Sequence, residues 1–387
     1  DMCGIVGFIG KEQAAPILLD GLAHLEYRGY DSAGVAVISS EQKLQVRKAV
    51  GRLKVLSDEI HGGADIEGCI GLGHTRWATH GAPNIANSHP HVSENGKFAV
   101  IHNGIIENYV EIKEFLIGQG ITFKSETDTE VVAQLLEFYY NECHDFLEAV
   151  GRVLRRIEGA YALGMLCADC PDRIIAARKD APLLLGYGEG CNFLASDVTA
   201  IIKHTRDVAY MEDGEVAVLT CDGIEVYDAL EQKVEKKHFT IDWEVSAAEK
   251  GGYQHFMLKE IMEQPEALRR AISPRVKEGK VVFDDLKLPV EKMREFTRIF
   301  IVACGSSYHV GMLGKYTLEH LLRRNVEVVL ASEFRYCDPI VDDKSLVIVI
   351  SQSGETLDTM AALREAKKRG GYILSIVNVV GSSIARE

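Results

Sequence analysis

The chain has no apolar run approaching the roughly 18–20 residues that a membrane helix needs, and no basic segment at its head of the kind that opens a secretory signal. The cytoplasm is therefore the expected compartment. Positive charge is also scarce: 43 Lys and Arg stand against 57 Asp and Glu, a formal net charge of -14. That balance repels phosphate backbones and anionic lipid, so neither nucleic acid nor membrane is expected as a partner. Cysteines are present without a pattern. Nine of them, an odd number without framework spacing in a long chain, read as reduced thiols. Cys167-Ala-Asp-Cys170 has no second pair at zinc spacing, and no internal repeat, low-complexity tract or Gly-Lys-Ser/Thr phosphate loop occurs.

What remains is an ordinary globular composition, 47% hydrophobic and 26% charged over 387 residues, long enough for two domains with separate cores. Residues 4–10 form a small, apolar, glycine-punctuated strand. Helical spacing follows from Pro16 to Tyr27, then strands at Val35–Ser39 and Leu44–Val50, and shorter ones at Gly71–His74 and Phe98–His102. Thr127-Asp128-Thr129-Glu130 has the spacing of a capping box. Behind it, Val131, Val132, Leu135, Leu136 and Tyr139 make one helix face, and Phe146, Val150, Val153, Leu154 and Ile157 another. Short strands resume from Ala160 to Tyr227. Strands, a helix pair and strands again predict layered α+β packing over 1–245. Glu231 to Gly252 is charged, ends in glycines and reads as a linker. The second domain, 253–387, opens on helical spacing from His255 to Ile272, with Pro265 expected to break or bend the helix. The runs Ile299–Ala303, Val326–Leu330, Leu346–Ile350 and Tyr372–Val377, each separated by room for a helix, predict a parallel α/β sheet.

Chemistry begins at Cys3, one residue after Met2. With that methionine removed, the thiol (free pKa near ~8.5) lies beside an α-amine of pKa about 7.7–8.0, so one residue supplies both nucleophile and base. The other reading is a small buried hydrophobe. Gly73-His74-Thr75-Arg76-Trp77-Ala78-Thr79-His80-Gly81 concentrates more polar and aromatic hardware than a turn requires, and Arg76 there could clamp a carboxylate or simply be solvated. His74, His80, His89, His91 and His102 invite a metal reading, but no acidic or thiol partners lie at ligand spacing and none is expected. Asn103-Gly104 closes a strand, either as a plain turn or as an amide and an N–H aimed at one point, an oxyanion hole. Asp128 is either a first-turn acid or an anchor for an ammonium group.

Cys3-Gly4-Ile5-Val6-Gly7, Arg28-Gly29-Tyr30-Asp31-Ser32, Arg76 to Gly81, Asn103-Gly104 and Ser125-Glu126-Thr127-Asp128 together resemble the N-terminal-nucleophile glutamine amidotransferases. The resemblance implies an αββα sandwich and hydrolysis of L-glutamine through a cysteine thioester. It makes Cys3 the nucleophile and gives the oxyanion to Asn103 and Gly104. Arg76, Thr79 and His80 would take the α-carboxylate, and Asp128 the α-ammonium. Arg28 and Gly29 would support the nucleophile's loop, and Trp77 would gate ammonia.

In the second half, Ile299–Ala303 runs into Cys304-Gly305-Ser306-Ser307, and Leu346–Ile350 into Ser351-Gln352-Ser353-Gly354-Glu355-Thr356. Each is a buried strand ending in small hydroxyl and glycine residues before a helix, where free amides suit a phosphate, although a serine-rich turn can also be only an N-cap. These loops, with Tyr253 to Pro265 and Ala331-Ser332-Glu333-Phe334-Arg335-Tyr336, resemble the SIS (sugar isomerase) domain, a flavodoxin-like parallel α/β fold, in the form joined to an amidotransferase. That likeness implies fructose 6-phosphate as second substrate, bound by Ser307, Ser351, Gln352, Ser353 and Thr356, no cofactor, and a homodimer in the full-length enzyme. Two departures stand out. Asp1-Met2 precedes Cys3, so an active form is expected to begin at Cys3. The second SIS subdomain and the family's lysine, glutamate and histidine for ring opening have no counterpart, so the chain reads as part of a longer enzyme. The rival reading is a catalytically silent sugar-phosphate-binding fragment.

Overall fold

The computed structural model describes residues 3–26, 31–76, 82–241, 253, 255–283, 286, 288, 290–379 and 382–387. The chain divides into two compact units, Asp1–Met262 and Glu263–Glu387.

The first unit runs β1 (Gly4–Ile9), α1 (Ala14–Leu25), β2 (Ser32–Ile38), β3 (Leu44–Val50), α2 (Leu53–Glu59), β4 (Ile70–Arg76), β5 (His91–Val92), β6 (Phe98–Ile106), α3 (Tyr109–Gly118), α4 (Glu130–Cys143) and α5 (Phe146–Leu154). It continues through β7 (Gly159–Cys167), β8 (Ile174–Lys179), β9 (Leu184–Gly188), β10 (Cys191–Ala195), β11 (Asp207–Tyr210), β12 (Val216–Leu219), β13 (Ile224–Tyr227), β14 (Lys233–Val234) and β15 (Phe239–Thr240). These strands form an eight-stranded sheet, ordered β15-β11-β9-β10-β1-β4-β2-β3, and a seven-stranded sheet, ordered β14-β13-β12-β8-β7-β6-β5.

β1 shows why the layers form. Alternate side chains of a strand point to opposite faces. Val6 and Phe8 pack with Leu18 and Leu22 of α1, while Ile5 and Ile9 join Ile101 and Leu166 of the other sheet. Both faces are buried, so the strand reads as an unbroken apolar run. On the outer side of the second sheet, Phe98 and Val100 pack with Val131 and Leu135 of α4 and Val150 of α5. Helix, sheet, sheet and helix are thus welded by three apolar cores, the expected αββα sandwich.

Several local readings change in three dimensions. The helices α2 and α3 and the strands β9 and β11 carry no period strong enough to be read in advance; in α3 only Ile112 and Leu116 are buried. Part of the presumed linker is structure: Lys233–Val234 pairs with β13 and Phe239–Thr240 with β11, extending each sheet by an edge strand. The charged residues around them, Glu231, Glu235, Lys236 and Lys237, are what made the segment look like a tether.

After α6 (Phe256–Ile272), in which Pro265 lies inside a continuous helix and so does not break it, the first of the two effects expected of that residue, the second unit holds a small hairpin of β16 (Val276–Lys277) and β17 (Lys280–Val281) and then α7 (Val290–Glu295). Its main sheet follows: β18 (Arg298–Ala303), α8 (Gly305–Leu322), β19 (Val326–Leu330), α9 (Ala331–Phe334), β20 (Ser345–Ser351), α10 (Leu357–Lys368), β21 (Tyr372–Val377) and α11 (Ser383–Arg386). The four strands are ordered β19-β18-β20-β21 and every pairing is parallel, as the four apolar runs predicted. Phe300, Val302 and Val347 pack with Ala362 and Ala366 of α10 on one face. Ile299 and Ile348 pack with Leu318 of α8 on the other.

Candidate active site

Cys3 is half-buried at the entrance to β1. The ladder between β1 and β4 pairs Gly4 with Thr75, and this register, continued by one residue, sets Arg76 opposite Cys3. Arg76 is buried at the end of β4. Across the sandwich, Asn103 of β6 donates from Nδ2 to the Cys3 carbonyl at 2.9 Å. The strand does not end at Asn103-Gly104 as expected; β6 continues to Ile106, with Asn103 opposite Ala162 and Gly104 opposite Tyr161. The dipeptide is therefore a device inside a strand, not a turn.

Gly104 has φ of 126°, a region open to glycine and strained for side-chain-bearing residues. A Cβ there would lie 2.0 Å from the Ala160 carbonyl oxygen. Gly104→Ala is accordingly expected to shift β6, costing at least about 2 kcal/mol and displacing Asn103. The thermal unfolding midpoint should fall, and an unchanged midpoint would contradict this account.

Behind Asn103 lies a buried group of histidines. His74 of β4 places Nε2 3.0 Å from Asn103 Oδ1 and 3.1 Å from the His102 carbonyl. Its ring stacks on His89 with centroids 4.1 Å apart, and His89 meets His91 edge-on at 4.8 Å. The His102 N–H donates to His89 Nδ1 at 3.2 Å, and His102 Nδ1 lies 2.9 Å from Thr129 Oγ1. Burial drives all four rings toward neutrality. It pushes His74 down to about 3 and His89 and His91 well below the ordinary imidazole value, with neighbouring positive groups adding to the effect. His102 is lowered too, burial outweighing the opposing Asp128 charge. His74, His89 and His91 pack ring against ring, and the hydrogen bonds of the group run to backbone, Asn103 and threonine partners. Among the described residues no cluster of three or more His, Cys, Asp or Glu is arranged to hold a metal.

Asp128 Oδ2 accepts the Ile106 N–H at 2.7 Å and lies 3.9 Å from His102 Nδ1, so the carboxylate is fixed just beyond Gly104 along β6. The capping box expected ahead of α4 is not formed. Thr127 Oγ1 lies 3.0 Å from His91 Nε2, and the Glu130 carboxylate instead accepts the N–H groups of Lys124 and Ser125 and the Ser125 hydroxyl at 2.5–2.8 Å. Both residues are spent on shaping the 124–129 segment that presents Asp128. The sequence had no signal for this use of Glu130, because the helix begins at Glu130 itself, too late for it to cap as a third residue.

Arg28, Gly29, Trp77, Thr79 and His80 lie outside the described residues. Cys167 is buried in β7, and burial pushes its thiol up to about 12, an inert residue consistent with an incidental Cys-x-x-Cys.

In the second unit, the register of Ala303 opposite Ile350 sets Cys304 beside Ser351 at the carboxyl edge of the two central strands. Ser307 lies in the first turn of α8, and Thr356 is the residue before α10. Ser351 Oγ accepts the Gly354 N–H at 3.0 Å and lies 3.2 Å from Thr356 Oγ1. The Ser353 hydroxyl accepts the Glu355 N–H at 3.2 Å, while Gln352 is exposed. Gly354 takes φ of 69°. Two helix N-termini therefore open side by side where parallel sheets bind ligands, each offering free N–H groups and a positive dipole end.

Comparison with known proteins places these two units. Residues 54–238 match the glutamine amidotransferase domain family, and residues 292–387 match the SIS domain family. The whole chain is 55% identical to the glutamine-fructose-6-phosphate aminotransferase (isomerizing) of Caldanaerobacter subterraneus subsp. tengcongensis and 52% identical to that of Clostridium tetani. In both cases the match covers 100% of this chain and 63% of the relative, so the chain spans less than two thirds of their length. A solved glutamine phosphoribosylpyrophosphate amidotransferase from B. subtilis is similar with a TM-score of 0.52 at 19% identity, covering 97% of this chain and 81% of that one, a likeness of fold. Matching both domain families, and sharing more than half its residues with these relatives along its entire length, the chain is similar throughout to the corresponding part of glutamine-fructose-6-phosphate aminotransferases.

Proposed function

We propose that this chain carries the glutaminase half, and part of the sugar-phosphate site, of an enzyme that makes glucosamine 6-phosphate from fructose 6-phosphate and L-glutamine. The supporting observation is the bond from Asn103 Nδ2 to the Cys3 carbonyl, which brings an amide donor from one sheet to the thiol-bearing residue of the other. With Cys3 at the chain head, its α-amine takes the thiol proton and the thiolate attacks the side-chain amide carbon of glutamine. Negative charge then develops on the former carbonyl oxygen, where Asn103 Nδ2 and the Gly104 N–H stabilise it; preorganised donors of this kind are worth about 10²–10³ in rate. Collapse expels ammonia, protonated by the α-ammonium, and leaves a thioester that water, deprotonated by the same amine, converts to glutamate. Arg76, with Thr79 and His80, holds the α-carboxylate, and Asp128 the α-ammonium. Arg28 and Gly29 support the nucleophile and Trp77 gates ammonia toward the sugar.

On this reading residues 1–245 form the amidotransferase domain and 253–387 the first SIS subdomain, with Ser307, Ser351, Gln352, Ser353 and Thr356 around the sugar phosphate. The longer enzyme is a cytoplasmic homodimer. No described helix is long and apolar enough to cross a membrane. The silent-fragment alternative loses ground because identity to enzymes runs the length of both units.

The chain processed to Cys3 is expected to release glutamate and ammonia in equal amounts from glutamine. Absence of both, with Cys3 confirmed by mass as the first residue, overturns the proposal. Separately, Ser351→Ala removes the acceptor for the Gly354 N–H and is expected to weaken fructose 6-phosphate binding about tenfold by calorimetry. Its glutaminase rate should not change.

A further inference from the structure

The oxyanion donor Asn103 is useful only in one of its two amide orientations. With Nδ2 toward Cys3, one N–H bonds the Cys3 carbonyl and the second faces no acceptor among the described residues. Rotated by 180°, the amide would set its oxygen against the Cys3 carbonyl oxygen and offer no donor to a reacting oxygen. The oxygen and nitrogen of an amide are distinguished only by their surroundings, so something must hold the productive form.

We propose that His74 is the positioning residue that does so, its tautomer set in turn by the His102 backbone; this rests on the glutaminase reading above. His74 Nε2 faces two oxygens at once, the His102 carbonyl at 3.1 Å and Asn103 Oδ1 at 3.0 Å. A carbonyl oxygen can only accept, so the ring is the Nε2–H tautomer. That proton leaves no acceptor for an Nδ2 facing the ring, which excludes the rotated amide. The information runs from a fixed backbone carbonyl of β6, through an imidazole of β4, to the side chain next to that carbonyl, crossing between the sheets twice. The ring cannot turn away: it is 1% exposed and stacked on His89. His74 does not reach the substrate, so it acts on the transition state through Asn103, and its loss should appear in kcat rather than in KM.

The test uses the whole chain processed to Cys3. Nitrogen-15 spectra of its histidines, with His74 identified by the signal lost in His74→Gln, should show an Nε2–H tautomer; an Nδ1–H tautomer overturns the inference. In kinetics, His74→Ala is expected to lower kcat for glutamine hydrolysis about 10–100-fold with KM changed less than about threefold. His74→Gln, which restores an N–H donor near the same place, should recover most of that loss. In an Asn103→Ala background, His74→Ala should change kcat by less than about twofold, because the residue it orients is gone. An equal loss with and without Asn103 overturns the inference, whatever the stability of the variants. A wild-type chain with an Nε2–H His74 that does not hydrolyse glutamine sinks the proposed function and leaves this inference standing.

Discussion

Cys3→Ala is expected to abolish glutamine hydrolysis, a loss of about 10⁴–10⁶-fold, with thermal unfolding unchanged. The two halves of that expectation have separate causes. Cys3 precedes β1 and is only half-buried, so the thiol contributes little to the core built by Ile5, Val6 and Phe8. The chemistry has no substitute for it, because the sulfur forms the thioester bond. Retention of Asp1-Met2 tests the other function of the residue. An amide-bonded Cys3 keeps its thiol but loses its base, and a general base contributes about 10²–10⁴-fold. Chains beginning at Asp1 and at Cys3, compared for glutamate release, should differ by that factor. Equal rates would mean that some other group removes the thiol proton, and the mechanism above would fail.

Acid should unfold the amidotransferase unit through its buried histidines. His74, His89, His91 and His102 titrate lower in the folded chain than in the unfolded one, where an imidazole has a pKa near ~6.5. Below that value the unfolded chain therefore binds more protons than the folded chain, and protons draw the equilibrium toward unfolding. Stability is complete above about pH 6.5 and falls as pH drops, by about 2 kcal/mol per strongly shifted histidine at pH 5. His102 contributes less, since Asp128 opposes its shift. Three such groups amount to a large part of the 5–15 kcal/mol or so that holds a domain together. Urea midpoints of the amidotransferase unit should therefore fall steeply between pH 7.5 and 5, and His91→Gln should flatten the slope. Matching midpoints at the two pH values would show that the rings are not neutral in the fold. The positively charged groups facing the cluster, Arg76 and Lys48, act in the same direction. Lys48 is itself lowered to about 8 by burial and donates to the Ser88 carbonyl at 2.7 Å.

Much of this protein was legible in one dimension, wherever the determining interactions are local. The four parallel strands of the second unit announce themselves as short apolar runs with helical intervals, because a strand covered on both faces must be apolar throughout. The two serine-rich loops likewise lie between strand and helix as their sequence placed them. Spacing failed where a residue's partner lies far off in sequence. Thr127 and Glu130 have the form of a capping box, yet Thr127 turns to His91, and the Glu130 carboxylate is claimed by the N–H groups of Lys124 and Ser125. A helix in isolation would have used them as caps; a fold that holds Asp128 against the end of β6 uses them otherwise.

The order of apolar and polar residues alone determined that this chain forms a layered α+β unit and a parallel α/β unit. Only the tertiary structure decided what surrounds the Cys3 thiol. Asn103 reaches Cys3 across 100 residues of chain, and His74 meets Asn103 because β4 and β6, in different sheets, lie face to face. No local period records such a meeting. It follows from the packing of two twisted sheets, in which the burial of Ile5, Leu72 and Ile101 in one core sets the register at which their polar neighbours come together.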